Sequence, residues 1–291
     1  RLRITVKLSD GPAAKQVWAE RYDRTMDDLF VTQDEITQQI VGSIAPQVNY
    51  AAREGMLNQA SGGIGVYDMA LRASALIWRG WDNYDVEMIT RGIAMAEEAL
   101  KIDPRCQRAL AILAIGCQAR AEFQPFTEQT DLDAALAAAT LLQELDSNSH
   151  VAWFVLGVVA LRRQEHDKAL ACLRRSHELN PNDVLVLRTL AWETSNWGLG
   201  AEALAHGRRA LQLSPRDPGL EWIYWVLSLS AYAAGDLDAA IGYGRQSLFL
   251  NPRNPGHHGV LAASLAEHGE LDEAKKLMEN ERAYKGTDGS V

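Results

Sequence analysis

The chain has 291 residues, 47% hydrophobic and 23% charged, the balance of an ordinary globular protein with room for a large core or two structural units. Its net charge of −9, from 29 Lys and Arg against 38 Asp and Glu, speaks against nucleic acid and anionic lipid as partners, because both need a basic surface. The longest apolar run, Val151 to Leu161, falls short of the about 20 residues that a bilayer span needs, so no membrane contact is expected. Cys106, Cys117 and Cys172 form no C-x-x-C pair and no disulfide framework, and read as small buried apolar residues. The chain opens on Arg1-Leu2-Arg3 without an initiator Met or a secretory signal, which suggests a piece of a longer protein. A cytoplasmic, reducing location fits these features.

Leu2, Ile4, Val6 and Leu8 alternate with polar residues, the period of a half-buried strand. Ser9-Asp10-Gly11-Pro12 breaks the chain, and Gln16 to Tyr22 returns it as a second strand, giving a small β-hairpin. A helix is expected next. Thr32 and Glu35 have capping-box spacing, and Ile36, Ile40, Val41, Ile44 and Val48 make one apolar stripe, with Pro46 kinking or dividing it. Asn58 to Gly65 is the best linker in the chain.

Repeats dominate from Val66. Leu179-Asn180-Pro181, Leu213-Ser214-Pro215 and Leu250-Asn251-Pro252 carry one signal, echoed earlier by Ile102-Asp103-Pro104 and, with Ser147 in place of proline, at the position between. Proline cannot continue the outgoing helix, and the polar residue after it can cap the next. Each unit also divides internally, at Gln164-Glu165, Gly235-Asp236 and Gly269-Glu270. Glycine ends a helix in the left-handed conformation, and an acidic residue suits the positive start of the next.

Trp153, Leu156, Gly157, Ala169 and Pro181 stand at the spacing of the tetratricopeptide repeat. Leu187, Leu190, Ala191, Ala203, Ala210 and Pro215 continue it, followed by Tyr224, Leu227, Ala240 and Pro252, then Leu261, Ala262 and Ala274. The chain therefore resembles the tetratricopeptide repeat family. The resemblance implies a mainly α fold, a right-handed α-solenoid of about six helical hairpins over residues 66–283, with a flexible tail at 284–291. The first two units fit more loosely, and Glu122 to Asp131 reads as an inserted loop.

A second resemblance rests on Arg3-Ile4-Thr5, Val17-Trp18-Ala19-Glu20-Arg21-Tyr22-Asp23-Arg24, Asp28-Leu29-Phe30 and Gln33-Asp34-Glu35-Ile36. These look like the end of a TolB-like αβ domain, which would make residues 1–57 its remnant and residues 58–65 the linker. Such a domain precedes tetratricopeptide repeats in bacterial class III adenylate cyclases and winged-helix regulators. The resemblance implies the C-terminal sensory or scaffolding part of such a protein.

Catalytic signals are weak. No G-x-S-x-G elbow, Walker lysine or H-E-x-x-H occurs. Cys172 and His177, five apart, do not share a helix face, and adjacent His257 and His258 would diverge on a helix; both histidines read as solvated or capping. No metal, cofactor or catalytic residue is assigned.

The groove is the more physical candidate. In this family the first helix of each pair lines the concave face, which implies Phe154 and Arg162, then Arg188, Trp192 and Asn196, then Trp222, Trp225 and Tyr232 as a ligand groove. Aromatics and arginines give large contact area at low entropy cost. The first functional reading is a non-enzymatic scaffold that binds a protein or peptide there, within a larger bacterial signalling protein. An alternative is a hydrolase-type enzyme grafted on the groove. A further expectation is a homo-oligomer formed through the edge of the N-terminal hairpin.

Overall fold

The computed structural model describes residues 2–10, 15–24, 65–83, 85–124, 128–215, 217, 219–252 and 255–287. At the N-terminal end β1 (Leu2–Asp10) and β2 (Lys15–Arg24) run antiparallel, with Ile4 opposite Tyr22 and Leu8 opposite Trp18. The helix expected from Thr32 to Val48, and the linker up to residue 64, lie outside the described residues.

From Val66 the described residues are helical. They form α1 (Val66–Asp82), α2 (Val86–Ile102), α3 (Gln107–Phe123), α4 (Glu128–Leu145), α5 (His150–Arg162), α6 (His166–Leu179), α7 (Val184–Asn196), α8 (Gly200–Leu213), α9 (Leu220–Ala233), α10 (Leu237–Leu250), α11 (Pro255–His268) and α12 (Leu271–Thr287). Consecutive helices pair, α1 with α2 through α11 with α12, giving the six expected hairpins. Pro104, Pro181, Pro215 and Pro252 all fall between pairs, where a helix has just ended. Side chains then close the new helix: Asp183 accepts from the Leu185 and Val186 amides, Ser149 from Ala152 and Asp236 from Ala239.

Two details differ from the sequence expectation. No long loop separates α3 from α4: helix occupies Glu122–Phe123 and resumes at Glu128, so the expected insertion lengthens helices instead. α1 to α4 have 17 or 18 residues, against 13 or 14 in α5 to α11. The family spacing fits poorly there because the hairpins are about a turn longer. At the other end α12 runs to Thr287, beyond the expected end of the repeats at 283.

The helices fall into two compact units. Gln47–Pro181 holds α1 to α6, and the unit that includes Asn182–Val291 holds α7 to α12. In the first, α3 packs on α1, α2, α4 and α5. Asp131, 1% exposed, takes both Nε and one terminal nitrogen of Arg120, which pins α4 to α3 and raises the guanidinium pKa. Such a forked pair supplies the geometry that a buried carboxylate requires.

In the second unit α9 packs on α7, α8, α10 and α11. Leu187, Leu204, Leu213, Ile223 and Leu227 fill the core between these pairs, and Ile241, Leu261, Leu265 and Ala274 fill the next layer. Burial of one such side chain is worth about 1.5–3 kcal/mol. Both units repeat one polar clamp. A serine on the second helix of a pair donates to a carbonyl in the first turn of its partner: Ser176 to His150 at 2.8 Å, Ser247 to Glu221 at 2.9 Å.

The turn inside each of the last four pairs needs one left-handed residue. Gly198, Gly235 and Gly269 supply it at φ of 73°, 78° and 97°, whereas α5 ends on Gln164 at φ 62°. A side chain in that region costs on the order of 1 kcal/mol, which glycine escapes. Gln164→Gly should therefore raise stability by about 0.5–1 kcal/mol in urea unfolding. An unchanged or lowered midpoint would show that the glutamine is not strained there.

Candidate functional site

The second unit gathers the richest chemistry. Its first helices, α7, α9 and α11, lie side by side, since α9 contacts both others. Residues one repeat apart thus meet across the row. The Arg188 guanidinium sits over the Trp222 ring, 5.7 Å from its centroid. Trp222 meets Trp225 edge-on at 4.8 Å, and His257 stacks on Trp225 at 5.9 Å while lying edge-on to Trp222 at 6.3 Å. Further along the row Ser195 and Ser230 hydroxyls lie 2.9 Å apart, and the Tyr232 phenol donates to Glu267.

Three of the expected groove residues, Arg188, Trp222 and Trp225, therefore form one cluster. All three are half-buried. Arg188 has no ion pair or hydrogen bond among the described residues. Trp192 is half-buried and Asn196 exposed on α7, while Tyr232 is committed to Glu267.

The other two expected groove residues belong to the first unit and are corrected by their surroundings. Phe154 is 3% exposed, a core residue of α5 rather than a surface for ligand. The Arg162 guanidinium is taken up by the Ala121 carbonyl at 3.2 Å and Glu128 at 3.2 Å. It ties the end of α5 to the ends of α3 and α4.

Sequence reasoning also missed His257. His257 and His258 are 2% and 3% exposed, so neither is solvated. The signal was available in the period: one repeat before His257 stands Trp222, and one repeat before that Arg188. The Ser247 hydroxyl lies 2.8 Å from His257 Nδ1. Burial first, and the neighbouring His258 second, push the His257 pKa down to about 4. The imidazole is therefore neutral at pH 7.

His268 is elsewhere, between Asp238 and Glu270. The candidate ligands His257, His258, Glu267 and His268 do not converge, and no group among the described residues could hold a metal ion. Burial pushes the Cys117 thiol up to about 12 and raises that of Cys172, which keeps both protonated and poorly nucleophilic. Among the described residues no helix is long and apolar enough to cross a membrane.

Residues 150–183 and 225–280 each match the tetratricopeptide repeat family model. This chain carries tetratricopeptide repeats. The two matches cover α5–α6 in one unit and most of α9–α12 in the other. By structure, the chain is similar to the APC/C hetero-tetramer Cut9–Hcn1, with a TM-score of 0.64 and 17% identity over 83% of this chain and 44% of that one. It is also similar to PilW, a widely conserved type IV pilus biogenesis factor, with a TM-score of 0.52 and 19% identity over 60% of this chain and 78% of that one. These likenesses establish a helical fold of tetratricopeptide type for the part of the chain they cover. By sequence it is 30% identical over 115 residues to a protein named "Putative adenylate cyclase 3" from Rhizobium meliloti (strain 1021), a match that covers 40% of this chain. The chain spans only 19% of that relative's length.

The state of His257 makes a pH prediction with a definite sign. Its folded pKa is depressed, so the unfolded chain binds the extra proton first. Stability is then complete above the unfolded value near 6.5 and is lost as pH falls toward about 4, with a slope approaching one proton. The difference in unfolding free energy between pH 7 and pH 4.5 should shrink in His257→Phe. An equal loss in both proteins would mean that other groups carry the acid sensitivity.

Proposed function

We propose that the face formed by α7, α9 and α11 binds an extended segment of a partner protein, and that the chain is a non-enzymatic interaction module. Tetratricopeptide repeats are in general protein-interaction scaffolds. The observation that carries the reading for this chain is Arg188: a guanidinium with no carboxylate partner among the described residues, held over Trp222 beside half-buried Trp225. A planar cation held in place by an aromatic ring is pre-organised to take a carboxylate, and the indoles add apolar area that needs little further ordering. Trp192 and Asn196 extend the face along α7.

We further infer that the module works within a larger bacterial signalling protein of adenylate-cyclase type. The support is the similarity over 115 residues to the Rhizobium protein and the wording of the N-terminal fifty residues.

Selection from a displayed random-peptide library, with the full chain as bait, tests the binding face. Arg188→Ala and Trp225→Ala should each weaken the selected peptides about tenfold or more, with far-ultraviolet circular dichroism unchanged. Should both variants bind as tightly as the native chain, the face is wrong. Should both lose helical content, those side chains serve the core.

A further inference from the structure

One buried acceptor on the proposed binding face has no partner among the described residues. The proton arrangement around His257 follows from its neighbour. The Ser247 hydroxyl donates to the Glu221 carbonyl at 2.9 Å, so its single proton is spent. At the 2.8 Å contact with His257 it must therefore accept, and Nδ1 carries the imidazole proton. Nε2 is then a bare lone pair. It is buried and has no hydrogen-bond partner among the described residues. A native fold rarely leaves such an acceptor empty without a reason, because an unmet buried group is costly.

The surroundings restrict what can meet it. Trp225 lies nearly parallel to the imidazole with centroids 5.9 Å apart and Trp222 stands edge-on, so a group that meets Nε2 has aromatic surface beside it and must end in a donor. A carboxylate has no donor to offer. An ammonium or guanidinium has donors but carries a charge, and the Arg188 cation already lies over Trp222. An indole N–H sits on the flank of a wider ring. A phenol matches both demands, with a flat apolar body and an O–H at its tip.

We propose that His257 Nε2 receives the phenol O–H of a tyrosine side chain from the bound partner segment, with the phenol ring lodged against Trp222 and Trp225. This rests on the reading of the α7–α9–α11 face as a peptide-binding face. Trp222 and Trp225 pack beside the imidazole and are half-buried while His257 is 2% exposed, so in this arrangement one of the indoles turns to admit the ring. The Ser247–Glu221 relay has a defined task in this arrangement: it fixes the tautomer that leaves Nε2 as an acceptor.

The test uses the full chain with ¹⁵N-labelled histidine, at neutral pH, and two small probes, p-cresol and toluene. They share the ring and methyl group and differ in the hydroxyl. p-Cresol should bind about tenfold or more tighter than toluene and move the His257 Nε2 resonance from that of a free lone pair to that of a hydrogen-bonded one. In His257→Phe the two probes should bind alike. The proposal is overturned if the native chain binds both equally. It is also overturned if Nε2 is already hydrogen-bonded in the free protein, because an ordered water then fills the place. If the p-cresol preference is missing while Arg188→Ala still weakens the selected peptides, the tyrosine pocket falls and the peptide-binding face stands. If instead Arg188→Ala and Trp225→Ala leave peptide capture intact, the binding face falls first and takes the partner tyrosine with it.

Discussion

A two-helix hairpin cannot cover its own apolar face, and most of what is described above follows from that deficiency. Within each unit the first helix of a pair lies against the first helix of the next. Residues one repeat apart are then brought into contact whatever their chemistry. In the second unit this contact makes a core where the residues are aliphatic, as at Leu187, Ile223 and Leu227. Where they are polar or aromatic it makes the face proposed for binding, as at Arg188, Trp222 and His257. Core and site share one geometry and differ only in composition.

That shared geometry explains how polar groups come to be held so deeply in a small-residue scaffold. Alanine and glycine at the helix crossings draw backbones together, and the close approach lets a short serine side chain reach a neighbouring helix. Ser176 and Ser247 use this reach to fasten the first turn of their partner helix. At Ser247 the same hydroxyl also faces His257, so the clamp that holds the hairpin together decides the proton position of the imidazole. A structural hydrogen bond and the tautomer of the proposed binding face's imidazole are carried by one oxygen.

The helix pairs were readable in the sequence because their punctuation is local. Pro181, Pro215, Pro252, Gly198, Gly235 and Gly269 act on their own backbone, and each ends a helix at the place where it stands. Arg188, Trp222 and Trp225 were also within reach, since the period projects them onto one face. Phe154 and Arg162 stood at equivalent periodic positions yet serve other ends. Their fate depends on neighbours that periodicity does not specify: the tight packing around α5, and a free carbonyl at Ala121 beside Glu128. His257 escaped notice for the converse reason. A histidine suggests solvent or metal by its type, and only its partners, a serine and two indoles, reveal a buried neutral ring. The expected loop at 122–131 was misjudged because extra residues that keep helical character extend the rods and need no bulge between them.

The unequal rods have a consequence for how such a chain assembles. Repeats that look alike invite mistaken partners, since any hairpin could in principle dock on a copy one place along. A hairpin of α1–α2 or α3–α4 length set against one of α9–α10 length would leave about a turn of helix overhanging, roughly 5 Å of apolar surface without cover. The long pairs α1–α2 and α3–α4 match one another in length, and the first unit confines the mismatch to one junction, where α3–α4 meets the shorter α5.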